Sequence, residues 1–324
     1  RGRNDNCEVR KYREKSDVFK KNFRDVISSR VGTYFSPSNS GAKRCVLGNC
    51  QGPKIARAIS ALSSEEVAVC GLEIMDVASS SKEMDSIIEN SDFILACKTY
   101  NKEYKNLSYN YIKEKYNKNV IEYSPIHFLG LHPDIIYLGS QETRILSPLG
   151  DYNSEIVVSS FINGNSISEC INNFKNEKKY LEKFYRKYYD SLGEMNRRED
   201  NLNNNSIKIY DWFLDNLKKE PLLYTTNHPT SSVFLRYAKE FLKKINIKQK
   251  DIHPLLIQNT LSDQVIWPIY ENISHHHNVH YTSDQRFWKN SVSLSFEEFI
   301  WRSYKSYENY DVNVIIDLFK KYKN

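Results

Sequence analysis

The stretch CVLGNCQGPKIARAIS, Cys45–Ser60, decides the fold. Cys45 to Gly48 is a short apolar run of strand character, and Gly48-Asn49-Cys50-Gln51-Gly52 is a turn. Pro53 then opens a segment in which Ile55, Ala58, Ile59 and Leu62 recur at helical spacing. Proline suits a first helical turn because the N–H it lacks would have no helical partner there. A strand, a glycine-bounded turn and a helix in succession open a βαβ unit. Working outward, strands are expected at Cys45–Gly48, Glu66–Leu72, Asp92–Cys97 and Asn119–Tyr123, with helices at Pro53–Leu62, Lys82–Glu89 and Leu107–Tyr116. The fold class is therefore α/β: a short parallel sheet flanked by helices. Right-handed crossovers bring the turns after the strands to one edge, where ligands bind in such sheets.

Residues 1–43 read as a charged N-terminal extension, partly helical around Ser16–Ser29, where Val18, Phe19, Phe23, Val26 and Ile27 form a stripe. The stretch SPSNSGAKR that follows reads as a loop. Residues 44–324 read as a single α/β catalytic domain with a large helical portion in the C-terminal half. There the stretch from Glu169 to Asp200 fits one long amphipathic helix, and further helices are expected at Ile207–Leu217, Ser231–Leu242, Phe296–Tyr304 and near Val312–Lys321.

A chain of 324 residues can bury a substantial core without staples. Its six cysteines show no paired CxxC spacing and several stand in apolar runs, which points to reduced thiols and a reducing compartment. The net charge of +6, from 46 basic and 40 acidic residues, is spread along the chain. The basic residues form no stripe with interleaved aromatics, so nucleic acid is not an expected partner. No apolar run approaches the roughly 20 residues that cross a bilayer, and the first residues lack the apolar centre of a secretory signal. A soluble, cytoplasmic protein is expected, either free or peripheral to the inner face of the membrane. The chain begins without Met, which leaves an upstream segment open. There is no Walker A motif and no GxGxxG, so the usual cradles for nucleoside triphosphates and dinucleotides are missing.

The chemistry concentrates in the first turn. Gly48 and Gly52 let the backbone turn tightly and approach a ligand, and amide donors at a helix start favour an anion. A thiol held there should be made acidic by the same dipole, so Cys50 is expected to have a lowered pKa and to face a ligand. Two later stretches share a grammar with it: His127 and His132-Pro133-Asp134 in IHFLGLHPDIIYLG, and Asn227-His228-Pro229 in YTTNHPTSSVF. Asp134 can orient a histidine or cap a turn. His275, His276, His277 and His280 invite a metal reading, but apart from Glu271 no acidic residue or cysteine stands nearby with ligand spacing, and no metal is expected.

GNCQ after the first strand, GLHPD followed by Tyr137, and a downstream TNHP together resemble the WcbI family of polysaccharide-biosynthesis acetyltransferases, from about Lys43 to Pro268. The resemblance implies an α/β fold related to the SGNH hydrolases and of flavodoxin-like layout. It also implies acetyl-CoA as acyl donor and transfer of the acetyl group to a sugar hydroxyl of a capsular or other cell-surface polysaccharide or its precursor. The implied partners are coenzyme A, a sugar acceptor and a polysaccharide-assembly complex. On this reading Cys50 stands where SGNH enzymes usually carry Ser, and it either attacks the thioester or shapes a site for direct transfer. His228 or His132 is the base, His228 being preferred by its late position, and Asn49, Gln51 and Asn227 supply amides. Gly48, Gly52, Lys54 and Arg57, with Lys43 and Arg44, are candidate contacts for the phosphates of coenzyme A, and Arg144 is another for phosphate or sugar. An SGNH-like esterase, or a glycan-binding protein on the same fold that uses its many tyrosines, are the alternatives. Release of coenzyme A from acetyl-CoA separates the first from the esterase.

Overall fold

The structure is a computed structural model that describes residues 34–35, 43–65, 67–73, 81–99, 102–140, 143–176, 178–281 and 284–323. The helix expected around Ser16–Ser29 and the loop after it lie outside the described residues. The chain divides into two compact units, which it enters alternately.

The first unit holds the described residues up to 125, with 203–207 and 237–253. Its described elements run β1 (Tyr34–Phe35), β2 (Lys43–Gly48), α1 (Gly52–Leu62), β3 (Ala68–Glu73), α2 (Ser81–Glu89), β4 (Phe93–Cys97), α3 (Tyr109–Tyr116) and β5 (Asn119–Tyr123). The sheet order is β1-β3-β2-β4-β5 and then the short strand Ser206–Ile207, parallel throughout except for β1 at the edge. The four expected strands and three helices are present. β2 is buried from Arg44 to Gly48, as a strand covered on both faces must be. Its successor β3 lies on one side of it and β4 on the other, so the chain reverses direction across the sheet at the end of β2. That reversal is where open α/β sheets leave a crevice, and the Gly48–Gly52 turn stands in it.

Helix α1 buries Ile55, Ala58, Ile59 and Leu62 and packs on β3 at Gly71. A Cβ at Gly71 would lie 2.7 Å from the Pro53 Cα, so only glycine lets helix and strand approach this closely. Helix α3 starts at a Ser108 cap and stops at Asn117 in the left-handed conformation, φ 51°.

The second unit holds residues 126–202, 208–236 and 254–324. It comprises a two-residue strand pair (Ile135–Ile136 with Asn153–Ser154), the helices α4 (Glu155–Ile162), α5 (Ile167–Asn176), α6 (Lys178–Asp200) and α7 (Tyr210–Asn216), and, after the helix Ser231–Lys244, α8 (Glu271–His276), α9 (Phe296–Tyr307) and α10 (Val312–Lys323). The stretch expected as one long helix over Glu169–Asp200 is helical on both sides of residue 177, which lies outside the described residues. The helix expected from Ile207 begins only at Tyr210. Ile207 is the last residue of a sheet strand, and the Glu199 carboxylate accepts from the N–H groups of Ile209 and Tyr210 at 2.8 and 3.0 Å. A cap supplied from another helix leaves no mark in the local sequence.

The core of this unit is aromatic: Trp267, Phe287 and Phe299 meet edge-on or stacked, with Phe287 and Phe299 centroids 4.1 Å apart. Among the described residues no helix is long and apolar enough to cross a membrane.

Candidate functional site

In the first unit, Asn49 organises the turn. Its Oδ1 accepts from the Gln51 N–H at 3.0 Å and its carbonyl from the Gly52 N–H at 2.9 Å. The Gln51 carbonyl accepts from Lys54 and Ile55 at 3.1 and 3.0 Å, and Pro53 has no N–H to give. The amides at the start of α1 are therefore spent inside the turn, which corrects the expectation that they stand open to an anion. The Gln51 side chain is fully buried. Gly48 is required by contact: a Cβ there would lie 2.2 Å from the Tyr123 hydroxyl.

Cys50 is partly exposed, yet burial pushes its thiol up to about 12, and the Glu73 carboxylate adds to the rise. The ammonium of Lys54 and the backbone N–H of Cys50 oppose it with less effect. This corrects the expected acidic thiol: desolvation and a neighbouring carboxylate outweigh the groups that favour the thiolate. Glu73 is there because it ends β3 in register with Gly48. Lys54, a candidate phosphate contact, is buried, and burial holds its ammonium below the usual value against the attraction of Cys50 and Glu73. Arg57 is half-buried, Arg44 is buried and Lys43 is exposed. Cys97, at the end of β4, is likewise held protonated, at about 12, chiefly by burial. The turn thus gathers a thiol, a second thiol, a carboxylate, an ammonium and a phenol at the carboxyl ends of β2, β3, β4 and β5.

In the second unit, His228 is buried and its Nε2 lies 3.0 Å from the Tyr152 hydroxyl, which donates to Asn227 Oδ1 at 2.9 Å. Thr225 donates to the same Oδ1 at 3.2 Å. The Tyr152 hydroxyl thus joins the His228 ring to the Asn227 amide. Tyr137 packs on Tyr152 at 5.4 Å, and Arg144 lies over Tyr137 at 5.1 Å. Arg144 also donates to the Gly139 carbonyl at 2.9 Å and faces Asp151 at 3.8 Å, so the expected phosphate contact is a residue that braces this loop. Tyr152 escaped the sequence reading because nothing local in SPLGDYNSE connects it to a histidine 76 positions away.

The other histidines separate from this cluster. His132 is sealed in the core, and burial lowers its pKa to about 3. Asp134 does not orient it: its carboxylate accepts from Trp267 Nε1 at 3.2 Å and from the Tyr270 hydroxyl at 2.7 Å. Burial raises that carboxyl to about 6. His127 is half-buried, and burial, helped by Arg198, lowers its pKa against the pull of Glu194. His276 stacks on Tyr185 at 3.5 Å and His277 on Tyr188 at 4.0 Å, so both serve as packing rings between α8 and α6.

The sequence model of the family described as polysaccharide biosynthesis enzyme WcbI matches residues 43–250. No curated protein matches the chain. A solved structure of WcbI, described as a polysaccharide biosynthesis enzyme in its native form without a disulfide bond between coenzyme A and a cysteine, has a similar fold: TM-score 0.65 over 87% of this chain and 94% of that one, at 14% identity.

Proposed function

The chain belongs to the WcbI family of polysaccharide biosynthesis enzymes, and from that premise we propose that it transfers an acetyl group from acetyl-CoA to a sugar hydroxyl of a cell-surface polysaccharide or its precursor, in the cytoplasm. The observation that carries this reading is the Cys50 turn at the switch point of the parallel sheet, with the ammonium of Lys54 buried beside the thiol. The description of the related structure, which speaks of coenzyme A and a cysteine, supports a coenzyme A site in this family.

The residues of the turn fit the thioester end of that cofactor. A partly exposed cysteine and a buried ammonium set a thiol and positive charge beside each other, as a thioester carbonyl requires. Lys54 and Arg57 would hold it, and acetyl-CoA would supply an acyl group activated by a good thiolate leaving group. In direct transfer the sugar oxygen bonds to the acyl carbon, the carbon–sulfur bond breaks, and the hydroxyl proton passes to a base. His228 is the residue we assign as base, its ring held by the Tyr152 hydroxyl 3.0 Å from Nε2. Lys54 offsets negative charge developing on the acyl oxygen. The direct route is favoured over an acyl-cysteine, because a thiol held at about 12 remains protonated at neutral pH and is a poor nucleophile.

The test is release of coenzyme A from acetyl-CoA, followed with a thiol reagent, with and without a sugar acceptor. Acceptor-dependent release, lost in His228→Ala and persisting at reduced rate in Cys50→Ala, is expected. Hydrolysis of acetylated sugar with no response to acetyl-CoA would establish the esterase instead.

A further inference from the structure

We propose that the second unit carries a saccharide-binding pocket of its own, formed by the ends of α5, α8 and α9, that holds a neutral sugar of the glycan apart from the transfer chemistry. A cavity of about 510 Å³ opens there, within the roughly 300–1,000 Å³ of small-molecule sites. Its apolar wall is three rings: Phe174, Tyr270 and Phe296, with centroids 5.3 to 5.7 Å apart. Aromatic rings carry negative charge on their faces and attract the polarised C–H bonds of a sugar ring.

The rings are held in place before any ligand arrives. The Tyr270 hydroxyl donates to Asp134 at 2.7 Å and accepts from Trp267 Nε1 at 2.9 Å. Phe296 is the first residue of α9, fixed by the capping box between Ser295 and Glu298. Such anchoring removes ordering cost from binding.

The polar lining selects the ligand class. Lys175 and Glu271 contribute one charge of each sign, so the cavity suits neither coenzyme A nor another polyphosphate. Asn272 and Gln285 add planar amides, both tied to backbone: Asn272 Nδ2 to the Phe174 carbonyl at 3.5 Å and Gln285 Nε2 to the Ile269 carbonyl at 2.8 Å. Asn272 Oδ1 also accepts from the Ile273 N–H at 2.8 Å, which leaves the amide one N–H and one lone pair for sugar hydroxyls. Aromatic rings beside amides and balanced charge are the lining a neutral saccharide recognises.

The experiment is saturation-transfer NMR on the full chain, without acyl donor, using mannobiose, cellobiose and chitobiose as probes. Saturation should pass to the ring protons of at least one disaccharide. Ile171→Trp, which fills the cavity from α5, and Phe296→Ala should each weaken it about tenfold, the scale of a lost aromatic contact. Cooperative thermal unfolding of Ile171→Trp checks that the fold persists. No transfer to any of the three probes, or unchanged affinity in a folded Ile171→Trp, overturns the proposal. Neither result bears on acetyl transfer, which is read by coenzyme A release.

Discussion

Alkylation of Cys50 by iodoacetamide reads the central electrostatic claim directly. Only the thiolate reacts, so the rate follows the ionised fraction. A thiol at about 12 is ionised at pH 8 in about one molecule in 10⁴, against about one in four for a free cysteine near 8.5. Burial can only slow the reagent further, so Cys50 should react at least about a thousandfold more slowly than free cysteine, on the order of the ratio of ionised fractions. Cys45, Cys70, Cys97 and Cys170 are buried and should stay silent. Replacing Cys7 by Ser keeps the assay clean. Peptide mass spectrometry between about pH 6 and 10 should show the rate rising tenfold per pH unit with no plateau. Glu73→Gln removes the like charge and should raise the rate about tenfold, one pKa unit. Lys54→Met removes the opposing ammonium and should lower it further. A plateau with a midpoint at or below 8.5 would refute the reasoning, because it would mean that the helix start, and not burial with Glu73, controls the thiol.

Gly48→Ala should destabilise the protein by about 1–3 kcal/mol in urea unfolding, since its Cβ would meet the Tyr123 hydroxyl at 2.2 Å; Tyr123→Phe in the same chain should recover part of the loss. His132 and Asp134 act on acid stability with opposite signs. The histidine, lowered to about 3, contributes stability present above its unfolded value near 6.5 and lost as pH falls toward 3. The carboxyl, raised to about 6, contributes stability present below about 3.9 and lost as pH rises through 6. The histidine shift is the larger, so stability should fall by about 2 kcal/mol in net between pH 6.5 and 3, a loss that His132→Gln should remove in denaturant titrations at the two pH values. Tyr152→Phe removes the bonds to His228 and Asn227; it should cost about 1–3 kcal/mol and lower kcat for acetyl transfer with KM little changed.

The amino-acid sequence by itself determined the α/β unit and the place of its turn. Continuous apolar runs, helical spacing after Pro53 and two bounding glycines are local patterns, and parallel strands buried on both faces leave little choice in what they form. It also marked His228, Asn227 and Tyr137, through motifs whose partners it did not contain. Only the tertiary structure decided what those residues meet. Glu73 reaches Cys50 because β3 pairs with β2 in register, and Tyr152 reaches His228 across 76 positions. His132 and Asp134 went to the core, although the same HPD tripeptide suggested a site. A thiol's pKa, a histidine's tautomer and a lysine's burial depend on solvent exclusion and charges brought together by packing. Those quantities have no local period for a sequence to display, which is why the turn was legible and the sign of its electrostatics was not.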